Sequence, residues 1–255
     1  MADPNRSALP TRRAGVAPDA SSAAIAAYGV LRARVTDLLR GIDAEQARRT
    51  VPACPDWTVT ETLAHMVGVC IDIVEGNIGD EVATPAWADG HVARHRELGI
   101  DGLLARWQDT ATTIDTLGGL VPDETASQFL FDAATHEHDV RGALGRPGGR
   151  EAASVTIGLG FLESRLDALV TARDLPPLLI ATGTEQIQVG EGSAANTVRA
   201  NHFELFRAFG GRRSLAQIRA MDWDGDPSPY LAVFEAGPLR PPEHDLVAVS
   251  YTHLR

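Results

Sequence analysis

Three side chains in this sequence have types and spacing that suit a metal ion. Asp132 and His136 are four residues apart, so on a helix they lie on one face with Cβ atoms about 5–6 Å apart. His65, in a separate segment, completes a set of two nitrogen ligands and one oxygen ligand, with a fourth position open. Asp139 is placed to accept a hydrogen bond from the His136 imidazole, the alternative being a solvated carboxylate. This layout is typical of a catalytic metal site rather than a closed structural one.

A second pair of histidines has the same spacing and the same local geometry. His91 and His95 are also four residues apart. The neighbouring Arg94 and Arg96 indicate a solvated helix surface, and their positive charge disfavours a bound cation. The alternative for the first set is that its members are ordinary hydrogen-bonded side chains at the edge of a helical core. Spacing alone therefore leaves the metal site open.

The elements that must position these residues are predicted from capping signals and hydrophobic periodicity. Thr58 and Glu61 have the form of a capping box, which starts a helix that carries His65 and runs to about Asn77. The periodicity predicts further helices and two strands. The helices cover residues 22–39, 91–117, 124–144, 153–172, 196–209 and 214–221, and the strands cover residues 178–182 and 186–189. The remainder from Asp222 is expected to be mostly irregular.

This pattern predicts a mainly α-helical protein with two domains. We expect a disordered leader over residues 1–20, a metal-binding four-helix bundle over residues 21–148, and a smaller α+β domain over residues 149–249. Residues 250–255 continue no pattern and are interpreted as a possible non-native tail.

Composition excludes several classes of protein. The formal net charge of −11 argues against a nucleic-acid binder and against binding to an anionic membrane. The sequence lacks an apolar run of about 18 residues, so we expect no transmembrane helix and no secretory signal. Two cysteines, Cys54 and Cys70, are too few for a disulfide-stapled fold, and Cys70 is expected in the core. These features predict a cytoplasmic protein.

Three segments carry a family resemblance. They are Cys54-Pro-Asp-Trp-Thr-Val with Leu63-Ala-His65, residues 132–145, and residues 203–214 with their Gly-Gly-Arg-Arg-Ser turn. In this order they resemble the actinobacterial mycothiol-dependent maleylpyruvate isomerase family, within the DinB-like superfamily of metal-binding bundles. The resemblance implies a DinB-like bundle followed by a sterol-carrier-like C-terminal domain.

The resemblance also implies roles for individual residues. His65, Asp132 and His136 match the family's metal ligands, for zinc first and for nickel, iron or manganese as alternatives. The family's middle ligand is typically glutamate, so Asp132 is one methylene shorter than expected. Arg212 or Arg213 is expected to hold an anionic group of the thiol or the substrate, the alternative being an ordinary basic turn.

These implications lead to three hypotheses. The first is a metal-dependent enzyme, monomeric or homodimeric, that uses mycothiol as a low-molecular-weight thiol cofactor or co-substrate. It would be an S-transferase or a cis–trans isomerase acting on a small electrophile. The second is a non-catalytic metal or small-ligand binding module on the same bundle, which the aspartate at position 132 favours. The third is a metal-free interaction protein.

Overall fold

The computed structural model describes residues 9–236 and 239–246 of the chain. The fold is mainly helical with a separate small sheet, as the sequence predicts. Two compact units are present: residues 18–158 form the first, and residues 9–17, which contain strand β1 (Thr11–Arg13), form the second with residues 159–246. Residues 250–255, interpreted as a possible tail, lie outside the described residues. Within the described ranges, helices that combine the length and apolarity needed to cross a bilayer are not found.

The first unit is built almost entirely from helices. They are α1 (Ala20–Leu39), α2 (Ala44–Ala47), α3 (Val59–Glu75), α4 (Pro85–His95), a 3-10 turn (Arg96–Leu98), α5 (Gly99–Asp115) and α6 (Asp123–Leu144). A short antiparallel pair, β2 (Thr50–Val51) and β3 (Cys54–Thr58), precedes α3. Helix α1 packs on α5 and α6, and α3 packs on α4, α5 and α6. Helix α7 (Ala153–Ala172) begins in this unit.

A buried hydrogen-bonded chain ties three helices of this unit together. Trp107 of α5 donates its Nε1–H to the hydroxyl of Tyr28 of α1 at 2.9 Å, and that hydroxyl lies 2.8 Å from Sγ of Cys70 of α3. All three side chains are buried, which confirms the core position predicted for Cys70. Burial raises the pKa of the Cys70 thiol to about 11, so the group packs as a neutral thiol.

The single helix predicted over residues 91–117 is wrong, because the chain forms two helices there. Helix α4 starts at Pro85, where the Thr84 hydroxyl accepts a hydrogen bond from the Trp87 N–H. Helix α5 starts at Gly99, whose φ of +63° is readily reached only by glycine. The break allows α4 to lie against α3 on its own, and this places His91 in the interior.

The second unit contains a five-stranded sheet and short helices. Its further elements are β4 (Leu178–Ala181), β5 (Gln186–Val189), β6 (Asn196–Arg199), α8 (His202–Phe209), α9 (Leu215–Arg219), β7 (Asp222–Asp224) and α10 (Ser228–Ala236). The strand order is β1-β5-β4-β6-β7. Strand β1 runs parallel to β5 and β6 runs parallel to β4, while the other two pairs are antiparallel.

Three predicted segments of this unit need correction. The leader expected to be disordered contains β1, in which Thr11 pairs with Gln186, and α1 already begins at Ala20. The helix expected over 196–209 begins only at His202, where Asn201 caps it by accepting from the Glu204 N–H. The first residues of that predicted helix form strand β6 instead, because they pair with β4 and β7.

The last part of the chain also differs from the prediction. The segment from Asp222, expected to be irregular, contains β7 and α10. The units divide after residue 158, beyond the boundary predicted at 148.

Candidate metal centre

The capping box predicted before His65 is present at the start of α3. The Thr58 hydroxyl accepts from the Glu61 N–H at 3.3 Å, and the Glu61 carboxylate accepts from the Thr58 N–H at 2.9 Å. Both bonds satisfy backbone N–H donors that a helix start otherwise leaves unpaired. The helix therefore has a defined first turn, and His65 follows on its buried side, 4% exposed.

The structure brings together the three residues predicted as metal ligands. Nε2 of His65 lies 3.3 Å from one oxygen of Asp132, and Nε2 of His136 lies 3.7 Å from the other. One ligand atom from each residue lies within 4.8 Å of the other two. Two atoms bound about 2.1 Å from a tetrahedral ion are about 3.4 Å apart. The spacing of these side chains therefore fits a single divalent ion.

The cluster is enclosed on one side and open on another. The Trp57 ring, from β3, lies with its centroid 5.1 Å from that of His65 and 5.9 Å from that of His136. The two histidine side chains are only 5% and 8% exposed, whereas the Asp132 side chain is 39% exposed. Solvent therefore reaches the cluster from the Asp132 side, and the tryptophan shields the imidazoles.

His136 is surrounded by groups that favour a positive charge. Its Nδ1 lies 3.3 Å from Oδ2 of Asp139, whose side chain is fully buried. Burial alone lowers the pKa of His136, but the hydrogen bonds to Asp139 and Cys54 and the charge of Asp132 outweigh it and raise the pKa to about 10. A metal ion supplies the same positive charge in exchange for the proton. Asp139 lies where the sequence predicted an acceptor behind His136.

A second group of possible ligands shares His136. The Cys54 thiol donates to Oδ2 of Asp139 at 3.7 Å, and ligand atoms of Cys54, Asp139 and His136 also lie within 4.8 Å of one another. Asp139 faces Nδ1 of the imidazole and Asp132 faces Nε2. A neutral imidazole has one lone pair, so it can serve only one of the two groups. The group with Asp132 has two histidines and a solvent-facing side, which suits a catalytic ion better.

The histidine dismissed from the sequence lies directly behind the cluster. Nδ1 of His91 is 3.2 Å from Nδ1 of His65, and Nε2 of His91 is 2.9 Å from Oδ2 of Asp72. His91 is fully buried, so the predicted solvated surface is wrong at this residue. Arg94 pairs with Asp72, which offsets part of its positive charge. Burial lowers the pKa of His91 more than the hydrogen bond to Asp72 raises it.

Sequence reasoning missed Trp57, Cys54, His91 and Asp72 as neighbours of the site. The first two stand in the Cys-Pro-Asp-Trp segment, which by itself indicates only the leader of a helix. Asp72 follows His65 by seven residues, two helical turns, so the two lie on one face of α3. That spacing indicates from the sequence alone that Asp72 lies on the same side of α3 as His65. The packing of α4 against that side could not be predicted from the sequence.

The two arginines expected to hold an anion lie in the second unit. The Arg213 guanidinium donates to both oxygens of Glu204, at 2.9 and 3.0 Å, and to the Arg212 carbonyl at 2.8 Å. Arg212 donates to the Gly210 carbonyl at 3.3 Å. These contacts stabilise the turn before α9. The anion-binding role of both residues stays a prediction.

The first unit is thus a helical domain with a cluster of metal-ligand side chains on two of its helices. The family described as mycothiol maleylpyruvate isomerase N-terminal domain matches residues 28–146, a range that includes all three predicted ligands. The match covers slightly less than half of the chain, and over this domain it confirms the resemblance predicted from the sequence.

Two solved structures are similar in fold. One is the mycothiol-dependent maleylpyruvate isomerase, 12% identical, covering 74% of this chain and 88% of that chain with a TM-score of 0.50. The other is a histidine-to-alanine mutant of the mycothiol-dependent maleylpyruvate isomerase, with the same identity and coverage and a TM-score of 0.47. At this identity the likeness concerns the fold alone. A search of curated proteins returned no significant match.

Proposed function

We propose that this protein is a metal-dependent enzyme that uses mycothiol as its thiol and acts on a small electrophile of the maleylpyruvate type. The observation that carries the proposal is the approach of two histidine Nε2 atoms, from His65 and His136, to the two oxygens of Asp132. This donor set lies within the domain that matches the mycothiol maleylpyruvate isomerase family. Cis–trans isomerisation is the favoured reaction, and thiol S-transfer is the alternative on the same site.

The residues of the chain would divide the work as follows. His65, Asp132 and His136 would hold a divalent ion, zinc first and nickel, iron or manganese as alternatives. When bound, the ion supplies Lewis acidity, which favours the thiolate form of a thiol beside it. Asp139 would hold the His136 ring by accepting from its Nδ1–H. Trp57 would keep water from the imidazole faces and leave the Asp132 side as the approach for thiol and electrophile.

Several finer features are part of the same proposal. The first unit is interpreted as a DinB-like four-helix bundle and the second as a sterol-carrier-like domain. Arg212 or Arg213 is proposed to hold an anionic group of the thiol or the substrate, for which Arg213 would have to share its guanidinium with Glu204. We further propose a cytoplasmic protein that acts as a monomer or a homodimer.

The metal requirement is tested by elemental analysis of the protein purified without a histidine tag. We expect near-stoichiometric metal in the wild type and its loss in His65→Ala and His136→Ala. The matched control is His202→Ala, which removes a histidine of the second unit paired with Glu185 and should keep the metal. Wild-type protein that neither retains nor takes up zinc, nickel, iron or manganese would contradict the proposal.

The reaction is tested by adding mycothiol and maleylpyruvate to the metal-loaded protein and following the trans isomer. Turnover that requires both thiol and metal supports the isomerase, and formation of a stable thiol adduct supports the S-transferase. The non-catalytic binding module is the second candidate, because Asp132 stands where the family typically has glutamate. Stoichiometric metal with neither thiol-dependent product would establish that candidate instead.

A further inference from the structure

His65 is the first member of a row of four polar side chains that leads away from the metal position. Its Nδ1 lies 3.2 Å from Nδ1 of His91, and Nε2 of His91 lies 2.9 Å from Oδ2 of Asp72. Arg94 closes the row by donating to both oxygens of Asp72, at 3.1 and 2.9 Å. We call these four residues, His65, His91, Asp72 and Arg94, the histidine relay.

The partners in the histidine relay determine where the ring protons lie. The Asp72 carboxylate only accepts, so Nε2 of His91 carries a proton. With that proton on Nε2, the His91 ring presents the lone pair of its Nδ1 to His65. The contact between the two imidazoles then requires the proton of His65 on Nδ1, which leaves a lone pair on its Nε2.

That lone pair points at another acceptor. Nε2 of His65 lies 3.3 Å from Oδ2 of Asp132, and two acceptors at this distance repel each other unless a cation lies between them. The histidine relay therefore presents His65 in the tautomer that a metal ion needs. Ligating histidines are commonly oriented in this way through their second ring nitrogen.

A glycine in the middle of α3 makes room for the histidine relay. A Cβ atom added to Gly68 would lie 2.6 Å from Cβ and Cγ of His91 and 2.7 Å from its Cδ2. These are atoms at the base of the imidazole side chain, so a change of rotamer at a flexible end could not relieve the clash. Glycine is among the least favourable residues inside a helix, and the close approach of His91 explains its presence here.

We propose that His91 and Asp72 are positioning residues that hold His65 as its Nδ1–H tautomer and direct its Nε2 at the metal, with Gly68 providing the space. The inference rests on the proposed function, because it takes His65 to be a metal ligand. It goes beyond that function by assigning a role to three residues that do not touch the ion. Zinc binding by the wild type tests the function, and the variants below test the inference.

The first test compares zinc affinity, measured by competition with a chromophoric chelator, in Gly68→Ala and Asp72→Asn. Each change leaves the three ligands in place, and we expect affinity about 10–100-fold weaker than in the wild type, as for other residues behind a ligand. Gly142→Ala is the matched control, because a Cβ at this helical glycine of α6 meets open space. It should bind zinc as the wild type does.

The second test determines the ring protons directly by NMR of the zinc-loaded protein labelled with 15N-histidine. We expect the proton on Nδ1 of His65 and on Nε2 of His91. In Asp72→Asn the carboxamide can donate to Nε2 of His91, so the proton of that ring should move to Nδ1. Loss of packing alone would not produce this signature.

Two results would overturn the inference while leaving the proposed function intact. One is wild-type zinc affinity in both Gly68→Ala and Asp72→Asn. The other is a wild-type spectrum with the His91 proton on Nδ1. If circular dichroism shows that Gly68→Ala does not fold, the zinc affinity of Asp72→Asn and the NMR spectrum of the wild type still test the inference. A wild type that does not bind zinc or another divalent ion would instead contradict the proposed function.

Discussion

At the scale of single residues, the candidate site combines two carboxylates with two imidazoles. Asp132 lies between two imidazoles, and Asp139 lies behind one of them. Burial opposes a charge on His136, but the contacts with Asp139, Cys54 and Asp132 outweigh it and raise the pKa of His136 to about 10. A divalent ion satisfies the same demand with ligands that are already gathered within 4.8 Å.

Replacing the central carboxylate tests this balance. Asp132→Asn keeps the shape but removes the negative charge, so we expect zinc affinity to fall by more than the ~10–100-fold typical of a residue behind a ligand. Asp132→Glu restores the family's usual ligand and should retain the metal. Asp109→Asn, at a 66% exposed side chain of α5, is the control. Unchanged zinc affinity in Asp132→Asn, measured by chelator competition, would remove Asp132 from the ligand set.

The two cysteines should differ in reactivity. Cys70 is fully buried and burial raises its pKa to about 11, whereas Cys54 is partly exposed. Because the thiolate is the reactive form, we expect iodoacetamide at pH 8 to modify one thiol in the native protein and two in the unfolded protein. Mass spectrometry identifies the site, and Cys70→Ala should be labelled as the wild type is. Equal labelling of both thiols in native protein would contradict the assigned burial.

The same raised pKa has a consequence for stability. The unfolded thiol ionises near its ordinary pKa of 9.0 and the folded thiol near 11. The contribution of the neutral thiol to the free energy of unfolding is therefore fully present below pH 9 and is lost as the pH rises toward 11. Urea unfolding of the wild type and of Cys70→Ala across this range measures the difference, which should shrink above pH 9.

At the scale of elements, α3 supports the site on two sides. Its first turn is defined by the capping box of Thr58 and Glu61. Further along, His65, Gly68 and Asp72 are spaced three and four residues apart, so they form one face, and α4 covers that face. The break before Gly99 is what frees α4 to take this position.

Removing the cap should destabilise α3 without touching the site. Thr58→Ala loses the acceptor for the Glu61 N–H, and we expect the free energy of unfolding to fall by about 1 kcal/mol. Thr112→Ala, at an exposed position inside α5, is the matched control and should not lower stability, because alanine is the better helix former. Urea unfolding followed by circular dichroism measures both. Equal stability of the two variants would mean that the capping box contributes little.

At the scale of the whole molecule, each of the two units is stabilised internally by different interactions. The first has a helical core with a buried polar chain. The second depends on a strand from the beginning of the chain, β1, whose Arg12 reaches Glu163 of α7 at 2.7 Å and Glu185 at 2.8 Å. Burial raises the pKa of Glu163 while Arg12 opposes the rise.

Breaking this ion pair should destabilise the second unit. Arg12→Ala leaves the fully buried Glu163 side chain without its counter-charge. We expect a loss of about 2–3 kcal/mol, less than for a fully buried pair because the Arg12 side chain is 38% exposed. The double variant Arg12→Ala with Glu163→Gln should recover most of the loss. Urea unfolding measures both, and an unaffected single variant would show that β1 is not held by this pair.

The sequence by itself determined the local features: the capped start of α3, the helix that carries Asp132 and His136, and the family resemblance of residues 28–146. These depend on neighbours within a few turns of the same helix, or on short motifs. Tertiary packing decided the rest. Strands β1 and β6 formed because distant partners β5 and β4 were available. His91 and His95 share the spacing of Asp132 and His136, and only the packing of α4 on α3 turned His91 into a buried partner of His65. The hydrophobic pattern of a helix specifies which residues lie on one side of it. The helix that packs against that side determines which of these residues lie at the site.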